Sequence, residues 1–240
     1  MHETDDMSQS TRILGIIPAR GGSKGISRKN LVSLCGRPLI AYTIEAGLSS
    51  EMLSRLVVST EDGEIASVAR KLGADVPFLR PTELATDDAR SLPVVQHAVQ
   101  AVEAEEGTRF DVIVMLQPTT PLRTAGDIDE GIRLLLDTGA DSVVSVVDVG
   151  ANHPYRMKRI DESGRLVNFV DQGFEDMRPR QELPRVYIRS GDLYIARRTV
   201  VMEQNTLVGD KCRAVVIPEK RAVNIDTPLD LLRAEQALCG

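Results

Sequence analysis

Four basic residues lie within one short glycine-rich segment near the start of the chain, IIPARGGSKGISRKN (16–30). Glycine leaves backbone N–H groups free to converge on an anion, because it has no Cβ to obstruct the approach. Arginine adds a planar fork of donors, and lysine adds a point charge. This combination of residue types suits the binding of a polyphosphate. The residues that would bind it are Arg20, Gly21, Gly22, Ser23, Lys24, Gly25 and Lys29.

The segment matches neither of the two common phosphate-binding motifs. It lacks the Gly-Lys-Ser/Thr ending of a P-loop and the spacing of a dinucleotide-binding GxGxxG motif. The alternative interpretation is a tight glycine turn that carries solvated charges. The concentration of basic residues directly after an apolar run favours the phosphate interpretation.

Alternating strand and helix patterns predict the fold that must position this segment. Continuous apolar runs are typical of strands buried on both faces, and segments with helical spacing separate them. The predicted strands are 12–19, 54–60, 74–80, 110–118, 141–147 and 212–218, and the predicted helices are 37–50, 62–74, 91–107, 124–140 and 227–239. This rhythm predicts a doubly wound, mostly parallel α/β sheet of the Rossmann-like type. The glycine-rich segment follows the first strand, at the edge where such sheets bind ligands.

The rhythm changes after residue 148. Two alternating segments flank a Glu-Ser-Gly turn at 162–164, a pattern that predicts a β-hairpin. We therefore predict a β-rich arm at 149–196, inserted into a core formed by 13–148 and 197–240. Residues 1–12 are polar and acidic and predict a disordered tail.

The composition of the chain argues against several classes of protein. The chain has 240 residues and a formal net charge of −6, which argues against non-specific binding to nucleic acids or membranes. No apolar stretch approaches the ~20 residues of a membrane span. Cys35, Cys212 and Cys239 are odd in number and far apart, so we predict a cytoplasmic protein with reduced cysteines and no zinc site.

The glycine-rich segment resembles the N-terminal signature of the acylneuraminate cytidylyltransferases (CMP-sialic acid synthetases) and their legionaminic and pseudaminic acid relatives. The resemblance spans about 13–238 and includes further segments in the same order as in that family. These are LRPTELATDDARS (79–91), LQPTTPLR (116–123), HPYRM (153–157), RQELPRVYIRSGDLYI (180–195) and NIDTPLDL (224–231).

The resemblance implies cytidylyl transfer from CTP to the anomeric hydroxyl of a nonulosonic acid, giving a CMP-sugar and pyrophosphate. Such chemistry depends on positioning and charge neutralisation rather than on a covalent nucleophile. The resemblance also implies Mg²⁺ as cofactor and a homodimer in which the arm reaches the partner's site.

The resemblance assigns roles to individual residues. It implies that Arg20, Lys24 and Asp226 are catalytic. The implied nucleotide-binding residues are Ala19, Arg20, Gly21, Gly22, Ser23, Lys24, Lys29, Asn30, Arg80, Asp87 and Ser91. The implied sugar-binding residues are Gln117, Arg156, Arg180 and Tyr194, and the implied metal ligands are Asp226 and Asn224.

Two positions depart from the family pattern. Asn224 stands where the family commonly has a second acid, so Asp226 would contribute most of the metal binding. Ser190 stands where the family often has asparagine, which weakens inferences about sugar contacts. Asp226 has an alternative role as the N-cap of the helix that follows, because Asp-Thr-Pro is a good helix start.

Three alternative functions stay open at the level of sequence. A 3-deoxy-octulosonate cytidylyltransferase shares the IPAR segment but lacks the Gly-Gly-Ser-Lys run. A sugar-1-phosphate nucleotidyltransferase usually carries a different glycine motif after its first strand. A nucleotide-binding protein without activity is the third, because Asn224 would weaken a metal site.

Overall fold

The structure is a computed structural model that describes residues 11–240. The strands are β1 (Ile13–Pro18), β2 (Ser33–Leu34), β3 (Arg37–Pro38), β4 (Arg55–Ser59), β5 (Val112–Met115), β6 (Ser142–Asp148), β7 (Lys158–Ile160), β8 (Leu166–Asn168), β9 (Tyr187–Arg197) and β10 (Cys212–Val216). The helices are α1 (Leu39–Leu48), α2 (Gly63–Lys71), α3 (Ser91–Glu106), α4 (Ala125–Thr138), α5 (Arg198–Met202) and α6 (Pro228–Cys239). The predicted tail, 1–12, lies almost wholly outside the described residues.

Six strands form the central sheet, in the order β10-β6-β9-β5-β1-β4. The pairs β1–β4, β1–β5 and β10–β6 are parallel, whereas β9 runs antiparallel to both of its neighbours. The predicted mostly parallel α/β sheet is therefore confirmed. The predicted strand at 74–80 is reduced to a single bridge between Asp75 and Val57, and Pro77 has no N–H with which to extend it.

Helices cover both faces of the sheet because the side chains of its buried strands alternate between two apolar clusters. On β1, Ile13 and Ile17 pack with α1, α2 and α4, whereas Leu14 and Ile16 pack with α3 and α5. This two-sided burial explains the continuous apolar runs of the sequence. Between residues 11 and 240, no helix combines the length and the apolar character that crossing a membrane requires.

The predicted arm ends earlier than the sequence indicated. Its hairpin is present, since β7 and β8 pair antiparallel. However, β9 lies in the middle of the central sheet, between β5 and β6. Residues 187–196 are therefore core rather than arm, because their main chain completes the hydrogen bonding of two buried strands. The segment that projects from the sheet is 149–186, and we call it the arm from here on.

The state of two cysteines differs from the sequence prediction. Cys35 and Cys239 form a disulfide, with their Cα atoms 6.4 Å apart although the two residues are separated by 204 positions in the sequence. Cys35 lies in the turn between β2 and β3, and α6 packs on this turn through Leu34 and Ala234. The sequence prediction of three reduced cysteines could not register this pairing, because only the folded chain brings the two residues together.

Candidate active site

A polar cavity of about 240 Å³ opens at the carboxyl ends of β1 and β5. It lies between the glycine-rich loop that follows β1, the segment before α3, and the segment that follows β5. Its polar lining residues are Arg20, Ser23, Lys29, Asn30, Arg80, Thr86, Asp87, Ser91, Gln117 and Thr119. The cavity therefore brings together most of the nucleotide-binding residues implied by the sequence resemblance. Ala19, Gly21 and Lys24 lie in the same loop but do not line it.

Close packing on two sides fixes the glycine-rich loop. A Cβ at Gly21 would lie 2.5 Å from Asp62 Oδ2, and a Cβ at Gly25 would overlap the carbonyl oxygen of Asp226. The N–H of Gly21 also donates to Glu61 Oε1 at 2.7 Å. The loop therefore fits between the start of α2 and the segment before α6, and Gly21 and Gly25 are needed for these contacts.

We expect Gly25→Ala to lower the free energy of unfolding by about 1–3 kcal/mol, because the new methyl group meets backbone that cannot rotate away. Urea unfolding measures this change. Gly22→Ala is the matched control, since a Cβ at Gly22 has nothing within 4 Å. Equal unfolding midpoints for the two variants would show that the loop does not depend on this close approach.

Asp87 holds two cations of the loop. Arg20 Nη2 lies 3.0 Å from Asp87 Oδ1, and Lys24 Nζ lies 3.1 Å from Asp87 Oδ2. Arg20 Nη1 also donates to the carbonyl oxygen of Thr86 at 2.6 Å. The Lys24 side chain is 77 % exposed, so it faces solvent beside the cavity rather than its interior. Asp87 thus orients Arg20 along the cavity wall.

Arg80 is a buried cation in the cavity wall. It is only 5 % exposed, and its guanidinium donates to Ser59 through Nε at 3.1 Å and to the Ser59 carbonyl oxygen through Nη2. Burial lowers the pKa of Arg80 to about 10, with Glu61 opposing and Arg20 adding to the shift. A buried cation that lines a cavity is best stabilised by an anionic or strongly hydrogen-bonding ligand.

A second arginine fixes the end of β5. Arg123 is buried, and it donates through Nη2 to the carbonyl oxygen of Gln117 and through Nε to the carbonyl oxygen of Asp192 at 2.7 Å. It thereby ties the loop after β5 to β9 and leaves the side chain of Gln117 directed at the cavity. Asn30 also lines the cavity; it is buried and donates to the carbonyl oxygen of Arg20 at 2.8 Å.

The acid implied as a metal ligand lies beside the loop. Asp226 Oδ1 is 2.9 Å from Lys29 Nζ, and Asp226 Oδ2 accepts a hydrogen bond from Asn224 Nδ2 at 2.9 Å. Asp226 is not the helix cap: Thr227 is the N-cap of α6 and forms a capping box with Asp230. The alternative role considered for Asp226 is therefore wrong, and its carboxylate faces the loop.

The residues implied for sugar binding do not all meet within one chain. Gln117 and Tyr194 line a second cavity of about 320 Å³ that shares Ser91 and Gln117 with the first. Arg180 instead lines a cavity at the base of the arm, where its Nη2 lies 3.7 Å from Asp148 Oδ1. Arg156 Nη2 donates a hydrogen bond to the carbonyl oxygen of Arg178.

One lining residue was missed by the sequence analysis. Arg189 lines the second cavity together with Tyr194. In a regular strand, two residues an odd number of positions apart point to opposite faces, so the pattern gave no reason to group them. The available signal was Gly191 between them, because an isolated glycine in a strand often marks a bulge.

Comparison with known proteins identifies relatives along nearly the whole chain. Residues 14–163 match the family model described as cytidylyltransferase. The chain is 34 % identical to CMP-N,N'-diacetyllegionaminic acid synthase of Legionella pneumophila, over 95 % of this chain and 96 % of the relative. It is 33 % identical to N-acylneuraminate cytidylyltransferase of Escherichia coli O18:K1:H7, over 92 % of this chain and 50 % of the relative.

A solved structure shows the same fold. CMP:2-keto-3-deoxy-manno-octonic acid synthetase, in complex with CTP, superposes with a TM-score of 0.68 at 18 % identity, over 95 % of this chain and 99 % of that one. At this identity the likeness establishes the fold alone. The family model and the curated relatives settle the classification: the chain belongs to the cytidylyltransferase family.

Proposed function

We propose that this chain transfers a cytidylyl group from CTP to the anomeric hydroxyl of a nonulosonic acid. The hydroxyl oxygen forms a bond to the α-phosphorus, and the bond from this phosphorus to the oxygen bridging to the β-phosphate breaks. The proton of the hydroxyl passes to solvent water, and the products are a CMP-sugar and pyrophosphate. We place the reaction in the cytoplasm, where CTP is available.

The observation that supports this proposal most directly is the cavity at the end of β1. In a chain of the cytidylyltransferase family, it places the cations Arg20, Lys29 and Arg80 around one polar space. Arg20 and Lys29 offset the charge of a triphosphate and of the departing pyrophosphate, and Lys24 would join them on leaving Asp87. Fixed positive groups of this kind stabilise the charge that develops during phosphoryl transfer.

The two ends of the substrates would occupy different parts of the cleft. Arg80, Asp87 and Ser91 lie together on the wall that we assign to the cytidine. Gln117 lies between the two cavities, where it would meet the sugar as the sugar approaches the α-phosphate. Arg156 and Arg180 would act on the partner subunit's site if the arm crosses between two copies.

The segment before α6 fits a magnesium ion that the nucleotide helps to hold. Asp226, which lies next to the glycine-rich loop, offers a carboxylate, and Asn224 beside it offers an amide oxygen. Within residues 11–240 there is no cluster of three or more His, Cys, Asp or Glu side chains suited to a metal. Phosphate oxygens and water would therefore complete the six oxygen ligands that Mg²⁺ prefers. Bound there, the ion would neutralise phosphate charge.

Pyrophosphate release tests the proposal. The purified chain is incubated with CTP, Mg²⁺ and one acid at a time from a panel that includes N-acetylneuraminic, N,N'-diacetyllegionaminic, pseudaminic and 3-deoxy-octulosonic acids and a sugar 1-phosphate. We expect release with at least one nonulosonic acid. Release only with the octulosonic acid or with the sugar phosphate would replace this function with one of the alternatives, and CTP binding without release would indicate a binding protein.

We further propose that the arm forms a homodimer. Its exposed apolar side chains include Phe169 and Phe174, which are 63 % and 55 % exposed. An isolated two-stranded hairpin is marginally stable in water, and clustered exposed apolar groups mark interfaces. We expect the wild-type chain to sediment as a dimer at micromolar concentration, and Phe169→Asp with Phe174→Asp to sediment as a monomer.

Leu229→Asp provides the matched control for the dimer. Leu229 is an equally apolar residue, 57 % exposed, but lies on α6 outside the arm. This variant should remain dimeric. A monomeric wild-type chain would contradict both the dimer and the action of Arg156 or Arg180 across subunits.

A further inference from the structure

The second cavity offers one charge to a ligand. Its lining combines the polar side chains of Gln117 and Tyr194 with residues 205–208, and Arg189 is the one charged residue among its described lining residues. Ser91 and Gln117 also line the first cavity. A molecule in the second cavity would therefore adjoin a nucleotide in the first.

A break in the strand directs Arg189 into this cavity. Tyr194 pairs with Val144 of β6, and Arg189 pairs with Val146. Five residue steps along β9 therefore lie opposite two residue steps along β6. Gly191 lies within this bulge with φ of +88°, a conformation that other residues rarely adopt. The bulge reverses the alternation of side chains and puts Arg189 and Tyr194 on one cavity.

Gly191 also lets Gln117 approach the strand. A Cβ at this position would lie 2.9 Å from Gln117 Oε1. The same glycine therefore orients Arg189 and leaves room for Gln117, the residue shared by the two cavities.

Arg189 is available for a ligand. Arg178 of the arm and Arg198 of α5, by contrast, form ion pairs with Asp176 and Glu103. No ion pair within residues 11–240 includes Arg189, and its side chain is exposed to the cavity. An arginine fork matches a carboxylate with two parallel hydrogen bonds.

We propose that Arg189 binds the carboxylate of the nonulosonic acid within the same chain. This inference rests on the proposed function, in which the second cavity holds the sugar. The carboxylate is the one ionised group of such an acid, and Arg189 is the one charged residue that the described part of this chain contributes to the cavity lining. Arg156 and Arg180, the arginines implied by the sequence, lie outside this cavity in a single chain. Arg189 thus selects an acid over a neutral sugar.

The test compares an acid with its neutral analogue. The substrate is the nonulosonic acid of the panel that the wild-type chain turns over fastest, and the analogue is its 1-carboxamide. We expect Arg189→Gln to raise KM for the acid at least about 30-fold, in keeping with the loss of a charge-assisted hydrogen bond. KM for CTP should stay unchanged. The wild type should prefer the acid over the carboxamide, and Arg189→Gln should lose this preference.

Two further variants separate this role from a structural one. Arg189→Lys keeps the charge and should recover part of the preference for the acid. Arg213→Gln removes an exposed arginine from the edge strand β10 and should leave both KM values unchanged. Equal thermal midpoints and equal CTP affinities would establish that the variants fold.

Three outcomes would overturn the inference. An unchanged KM for the acid in Arg189→Gln, with an active wild type, rejects Arg189 but leaves the proposed function intact. An equal rise in KM for the acid and the carboxamide would mean that Arg189 shapes the cavity and does not recognise the charge of the carboxylate. A wild type that binds CTP but transfers it to no acid rejects the inference and the proposed function together.

Discussion

Replacing Arg20 with glutamine should lower kcat/KM for CTP by at least about 100-fold, which corresponds to roughly 2.7 kcal/mol of transition-state stabilisation. Arg20 lines the first cavity, and Thr86 and Asp87 hold its guanidinium in place. A cation that is already oriented needs no reorganisation when charge develops on the phosphates. Initial rates of pyrophosphate release at varied CTP measure the effect.

Arg28→Gln is the matched control, because it removes the same charge from the same loop. Arg28 faces away from the cavity and pairs with Asp62 and Glu64 at the start of α2. Asp62 keeps its backbone hydrogen bonds as the N-cap of α2 in this variant. We expect kcat/KM within about threefold of wild type, since exposed ion pairs contribute little. Equal losses in both variants would mean that the net charge of the loop, rather than its geometry, supports the reaction.

The sequence predicted the strands well where both faces of a strand are buried. The apolar runs at 12–19 and 54–60 predicted β1 (Ile13–Pro18) and β4 (Arg55–Ser59) closely, because a strand covered on both faces has no polar alternation to interrupt it. The position of the glycine-rich loop then followed from the direction of β1. The family resemblance added Arg80, Asp87 and Gln117, which the fold brings to one cavity.

The sequence predicted less well the contacts between residues that are far apart along the chain. The pattern of β9 indicates a strand but not its neighbours, and the long insertion before it favoured placing it in the arm. The orientation of Arg189 depends on the bulge at Gly191, which becomes visible only when β9 pairs with β6. The contact between Gly25 and Asp226 joins residues about 200 positions apart, and no local pattern encodes it.

Asp226 is the residue on which metal dependence should rest. Its carboxylate contacts Lys29 and Asn224 and is 62 % exposed, whereas Thr227 and Asp230 cap α6 without it. We therefore expect Asp226→Ala to reduce turnover at least about 100-fold while changing the free energy of unfolding by less than about 1 kcal/mol. CTP binding should persist in part, because Arg20 and Arg80 remain in the cavity wall.

A Mg²⁺ titration of pyrophosphate release, combined with urea unfolding, separates metal binding from helix capping. Asn224→Asp should lower the Mg²⁺ midpoint, because the number of charged oxygen ligands strongly influences affinity for a hard cation. Asp230→Ala removes the capping box of α6, so we expect it to lower the free energy of unfolding by about 1 kcal/mol. Unlike Asp226→Ala, it should leave the Mg²⁺ midpoint unchanged. If Asp226→Ala keeps both its rate and its Mg²⁺ midpoint, the ion is held by the nucleotide without this carboxylate, and Asp226 serves only to position Lys29.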